Sequence, residues 1–178
     1  MGNGKLYAAA LPVILAGLAL AGCGGDQLAE KAAETAVKAN TSEQGQEVDV
    51  DIDSEKQSFS MSVQGESGSM DMTAGENAKL PDDFPEDVPL YPGMKLQVVS
   101  TMDGQEMHMI QGSTGDDLET VAARLAKDAQ SNGWTEAMSM NMGAQQRMLN
   151  YTQGDRILNY AVMREEGATQ ISVTTGNK

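Results

Sequence analysis

The sequence predicts an α+β fold, and three observations carry the prediction. Val48, Val50 and Ile52, then Phe59, Met61 and Val63, then Met70 and Met72 alternate with polar residues, the pattern of antiparallel strands with one apolar face. Leu118, Val121, Ala122, Leu125 and Ala129 instead recur at helical spacing and make a single apolar stripe. After that stripe come several short runs separated by glycine-containing turns at Gly143, Gly154 and Gly167, which read as further strands. One helix among many strands is expected to pack on an antiparallel sheet. The full expectation is a short N-terminal helix and a three-stranded meander, then a β-β-α-β-β-β-β domain with its helix packed on the sheet.

Taken in order, residues 1–22 read as a secretion signal. Lys5 is the only charged side chain before Asp26, and Ala8 to Gly22 is apolar and ends in small residues, which is signal-peptide length and composition. A comfortable membrane-spanning helix needs about 20 apolar residues. Leu20-Ala21-Gly22-Cys23 resembles the lipobox of bacterial lipoproteins. The resemblance implies that Leu20, Ala21 and Gly22 are recognised by the signal peptidase. It also implies that Cys23 receives a diacylglyceryl group and becomes the first residue of the mature chain. A thiol at the end of an apolar segment lies where lipid donors are, and two or more acyl chains anchor stably where one does not. Met1-Gly2 does not make a myristoylation signal, because Leu6 stands where that motif wants Ser or Thr. Gly24 rather than Asp follows the cysteine, and by resemblance to enteric sorting this implies the periplasmic face of the outer membrane.

Residues 23–45 read as a lipidated tether with a short helix. Gly24 and Gly25 give a flexible exit, Asp26 can cap, and Leu28, Ala32, Thr35, Ala36 and Ala39 share one side at helical spacing. Residues 46–79 form the meander, with turns at Asp53-Ser54-Glu55-Lys56 and Gly65-Glu66-Ser67-Gly68. Residues 80–94 hold four of the five prolines. Each proline biases its neighbourhood toward extended backbone, so the segment reads as a stiff extended linker, tacked onto the C-terminal domain by Phe84, Val88, Leu90 and Tyr91. In residues 95–178, Asp103-Gly104 signals a hairpin between two strands. Thr114 with Asp117 makes a capping box for the helix, and Asn132-Gly133 ends it. Strands are expected over 134–142, 147–152, 156–164 and 169–175.

The segment Leu80-Pro81-Asp82-Asp83-Phe84-Pro85-Glu86-Asp87-Val88-Pro89-Leu90-Tyr91-Pro92-Gly93, the helix ending in Asn132-Gly133-Trp134 and the glycine-punctuated strands after it resemble a group of small bacterial lipoproteins of uncharacterised function. The resemblance spans about Leu80 to Thr175 and implies a shared fold, with no activity to carry over. The strand-strand-helix-strand order is also similar to helix-grip domains of lipoproteins in outer-membrane assembly machinery.

Composition narrows the function classes. Loss of residues 1–22 from the 178 leaves 156, with 11 basic and 26 acidic side chains and a charge of −15. Such a body is repelled by nucleic acid and by anionic headgroups. Cys23 is the only cysteine, so disulfides, a thiolate nucleophile and cysteine metal clusters are excluded once it is acylated. His108 is the only histidine, and neither a Gly-x-Ser-x-Gly elbow nor a phosphate-cradling glycine loop occurs. The chain therefore reads as a non-catalytic, cofactor-free envelope lipoprotein that acts through protein contacts or envelope structure.

The second reading is a Cu(I) or small-ligand binder. Met107-His108-Met109 and Met138-Ser139-Met140-Asn141-Met142 concentrate thioethers and an imidazole, which suit Cu(I). Strand alternation opposes convergence, since Met107 and Met109 share one face while His108 takes the other. Met138, Met140 and Met142 are expected to fill a core, as methionine does well. Asp49-Val50-Asp51-Ile52-Asp53 fails as a calcium loop because Ser54 and Ser60 stand where glycine and glutamate are required. Asp82, Asp83, Glu86 and Asp87 read as a solvated charge run.

Overall fold

The computed structural model describes residues 47–65, 68–103 and 106–178. Nine strands lie within them: β1 (Glu47–Asp53), β2 (Ser58–Gly65), β3 (Gly68–Ala74), β4 (Lys95–Met102), β5 (Met107–Thr114), β6 (Thr135–Asn141), β7 (Gln146–Gln153), β8 (Arg156–Glu165) and β9 (Ala168–Asn177). One α-helix, α1 (Leu118–Ser131), separates β5 from β6. All nine strands join a single antiparallel sheet in the order β1-β2-β3-β4-β5-β9-β8-β7-β6.

This corrects the expected α+β architecture. The described chain is predominantly β, a single continuous sheet with one helix, rather than a meander followed by a helix-and-sheet domain. The reason is the pairing of β3 with β4, in which Met70 lies opposite Met102 and Ala74 opposite Val98. Unpaired edges cost hydrogen bonds, and joining the two edges satisfies both. The short helix expected over Asp26 to Asn40 lies outside the described residues, as does Gly104 of the expected hairpin turn.

Register shows how one sheet carries two different faces. Asp51, Ser60, Thr73, Val99, Ile110, Val173, Tyr160 and Leu149 lie opposite one another in a single row from β1 to β7. Residues paired in this way point to the same face. The row is polar on β1 to β3 and becomes apolar at β4. Its apolar part belongs to the main core, with Leu118, Val121, Leu125 and Ala129 of α1 and with Trp134. Neighbouring rows on β1 to β5 have the reverse character on the opposite face: Val50, Met61 and Met72 on one row, and Val48, Val63, Met70, Met102 and Met107 on the next. Val48 and Val50 are buried, although β1 is an edge strand.

Two local expectations also change. The proline segment is a run of turns rather than an extended linker, with Phe84, Val88 and Met94 amides donating to the carbonyls of Pro81, Pro85 and Tyr91. Tyr91-Pro92-Gly93-Met94 places proline and then a glycine at φ +75° in its two central positions, as a type II turn requires. Val88 and Tyr91 enter the core, with Phe84 and Leu90 packed against it. The segment is held by Trp134 Nε1, which donates to the Asp87 carbonyl at 2.9 Å, and by Tyr160, whose hydroxyl donates to the Pro89 carbonyl at 2.8 Å. Arg156 donates from both terminal nitrogens to the Asp87 carboxylate and sits 4.9 Å from the Trp134 ring centroid.

Helix α1 is capped by Asp117, not by Thr114. The Asp117 carboxylate accepts from the Thr120 amide at 2.9 Å and the Thr120 hydroxyl at 2.5 Å. Thr114 is still the last residue of β5, opposite Thr169, and cannot begin the helix as well. At the far end Gly133 adopts φ +87° and the Trp134 amide returns to the Ala129 carbonyl, the left-handed ending that glycine permits.

Candidate functional site

The residues expected to carry the anchor, Leu20, Ala21, Gly22 and Cys23, lie outside the described residues. Among the described residues, no helix is long and apolar enough to cross a membrane.

The six soft donors named from sequence, Met107, His108, Met109, Met138, Met140 and Met142, are not brought together. β5 and β6 are separated in the sheet by β9, β8 and β7, roughly 19 Å at about 4.8 Å per strand. Within β5, alternation acts as expected: His108 is buried on the face shared with Ile110, and Met107 and Met109 are half-buried on the other. The expectation that Met138, Met140 and Met142 fill a core is corrected, since they are 48%, 41% and 53% exposed. β6 is an edge strand whose residues are exposed on both faces, and a bulge between Glu136 and Met138 also changes which face the methionines take. Glu136 pairs with Tyr151 and Met138 with Asn150, so the extra residue Ala137 shifts the alternation and turns Met138 and Met140 away from the helix side.

His108 occupies a row with Thr101 and Thr175. Phe84 of the proline segment meets its ring edge-on, centroids 5.6 Å apart at 79°. Its Nδ1 is enclosed and has no hydrogen-bond partner among the described residues. A cleft of about 440 Å³ opens beside it around the strand ends, lined by Asp83, Asp103, Glu106 and Arg156 and also by Met102 and Met107. The polar groups around it are largely engaged with one another. Ser69 donates to Asp103 at 2.5 Å, Asn177 donates to Glu106, and Arg156 is held by Asp87. Arg156 holds the Asp87 carboxyl below the usual carboxylate range through these hydrogen bonds. The charge run expected to be solvated is therefore divided: Asp82, Asp83 and Glu86 are exposed, while Asp87 fastens the segment to β8.

Among the described residues no group of three or more His, Asp or Glu side chains is placed to hold a metal ion. The constellation missed in the sequence is made of sulfur. Met70, Met102 and Met107 lie directly opposite one another on β3, β4 and β5, and the adjacent row carries Met61, Met72 and, beyond Ser100, Met109. Every one of these six is partly but not fully buried. Alternation places each methionine on a face of its own strand, but only the pairing of β3 with β4 unites them, and that pairing has no local signal.

Thioethers are soft ligands and weak hydrogen-bond acceptors that lose little on leaving water. The row can therefore serve as packing or as a soft-cation ligand set. Comparison with protein-family models, with curated proteins and with solved structures gave no match for this chain.

Proposed function

We propose that this chain is an envelope lipoprotein, held to a membrane by acyl groups on Cys23 and acting there by protein contact without catalysis. The observation that carries the reading is Leu20-Ala21-Gly22-Cys23 at the end of an apolar run that follows a single basic residue. Small residues before the cysteine suit the signal-peptidase groove. Each buried methylene contributes about 0.8 kcal/mol, so a diacylated cysteine with a third chain on its amine is held firmly. The acidic body, at −15 after removal of the signal, is repelled by anionic headgroups, which favours attachment through the tails alone. Gly24 after the cysteine favours the outer membrane.

Metabolic labelling with a clickable fatty acid tests the anchor. Label on the wild-type chain is expected to disappear in Cys23→Ala, which then accumulates as an uncleaved or soluble exported form. Undiminished label in that variant would end the proposal. Cross-linking of the acylated protein in intact envelopes, with density separation of the membranes afterwards, is expected to give discrete protein adducts in the outer-membrane fraction.

A further inference from the structure

We propose that Met70, Met102 and Met107 form a thioether site for a soft monovalent cation, Cu(I) in the envelope and Ag(I) as its mimic. The inference does not depend on how the chain is anchored. Three observations converge on it. Directly opposed residues in antiparallel strands have Cα atoms about 4.5–5.5 Å apart, so this row puts three sulfurs on three adjacent strands within one small patch of a single face. Met102 and Met107 also line the cleft at the strand ends, which gives an ion a route to them from solvent. The carboxylates of Asp103 and Glu106 line the same cleft, and a net charge of −14 for the whole chain raises the local concentration of cations.

The chemistry selects the ion. Thioethers are poor ligands for hard cations such as Mg²⁺ and Ca²⁺ and good ones for Cu(I). Three neutral sulfurs leave the complex with the single positive charge of the ion, and the neighbouring carboxylates offset it. Each methionine has three rotatable bonds, so the side chains can turn toward a common centre while the strand backbones keep their pairing. His108 lines the same cleft but projects from the other face of β5, and the methionine row does not include it. Met138 and Met140 are excluded by distance across the sheet.

The test is anaerobic titration of the full-length chain in detergent with Cu(I) against the chromophoric chelator bicinchoninate, with the Cys23 sulfur acylated or alkylated so that it does not compete. One Cu(I) per chain bound more tightly than about 1 µM is expected. Met70→Leu, Met102→Leu and Met107→Leu each conserve apolar volume and are each expected to weaken binding at least about tenfold. Met138→Leu and Met140→Leu are expected to change nothing. Absence of binding tighter than micromolar in the wild type, or unchanged binding in the Met70/Met102/Met107 triple leucine variant, overturns the proposal. If a leucine variant fails to fold, oxidative footprinting of the wild type decides. Ag(I) is expected to protect Met70, Met102 and Met107 from peroxide while Met138 and Met140 still oxidise, and equal oxidation of all five overturns the proposal.

Discussion

Tyr151 and Tyr160 face each other across β7 and β8, edge to face, with ring centroids 6.1 Å apart. Both are almost wholly buried, yet removing their hydroxyls should move stability in opposite directions. The Tyr160 hydroxyl donates to the Pro89 carbonyl at 2.8 Å, whereas the Tyr151 hydroxyl is enclosed with no partner among the described residues. A buried polar group left unpaired costs about 1–3 kcal/mol, and a made hydrogen bond contributes about 0.5–1.5 kcal/mol. Tyr151→Phe removes the penalty and leaves a void of roughly 10–15 Å³, which costs about 0.3 kcal/mol. The net expectation is a gain of about 1 kcal/mol, or a rise in Tm of roughly 3–5 °C for a body of this size. Tyr160→Phe loses its bond, orphans the carbonyl and loosens the proline segment, for a loss of about 1–2 kcal/mol. Urea denaturation monitored through Trp134, the only tryptophan, reads both variants in one assay. The aromatic pair is the same in each, so the difference isolates the hydroxyls. A Tyr151→Phe midpoint lowered as far as that of Tyr160→Phe would refute the reasoning, because it would show that the Tyr151 hydroxyl has a partner.

Groups that hold the proline segment and the helix give two further expected outcomes. Arg156 keeps the Asp87 carboxyl below its ordinary pKa, so its contribution is present above the unfolded value near ~3.9 and is lost as pH falls through the lower folded value. The pair is about one-third exposed on both sides, so Asp87→Asn should cost only about 0.5–1 kcal/mol at neutral pH. It should also flatten the fall in the urea midpoint between about pH 4 and pH 2, and an unchanged acid slope would show that the contact is not formed in solution. Asp117→Ala removes the cap of α1 and should cost about 1 kcal/mol, read as a lower urea midpoint. Thr114→Ala, by contrast, should leave the helix intact, and equal losses in the two would restore Thr114 as the cap.

The strands and the helix were legible because period-two and period-3.6 patterns are local. Val48 to Ile52, Phe59 to Val63 and the stripe from Leu118 to Ala129 each announce their own geometry, and Gly133 announces the helix end. Three things were not local. The pairing of β3 with β4 joins residues about thirty positions apart across the proline segment, and nothing in either strand names its partner. The bulge at Ala137 reverses the facing of Met138 and Met140 without any glycine or proline to mark it. The turns within the proline segment depend on where Val88 and Tyr91 find a core to enter, which the prolines alone do not specify. The soft-donor candidates suffered most, since a ligand set on a sheet is a property of rows, and a sequence displays only columns.

The distribution of apolar groups explains why β4 and β5 hold the sites. From β1 to β3 the apolar face is the one away from the helix, and from β9 to β7 the buried face is the helix side. β4 and β5 sit where the two meet, so both of their faces are at least partly covered: Val99 and Ile110 on one side, Val98, Met102, Met107 and Met109 on the other. A strand covered on both faces resists slipping, because a shift by one residue would send His108 into the methionine face and Met107 under the proline segment. That fixed register keeps Met70, Met102 and Met107 in one row, with Met102 and Met107 at the cleft. The row supplies thioethers without the imidazole, which projects from the other face of β5, so Cu(I) affinity should be unchanged in His108→Gln. A loss of Cu(I) binding of about tenfold in that variant would place the imidazole among the ligands and break the assignment to the methionine row.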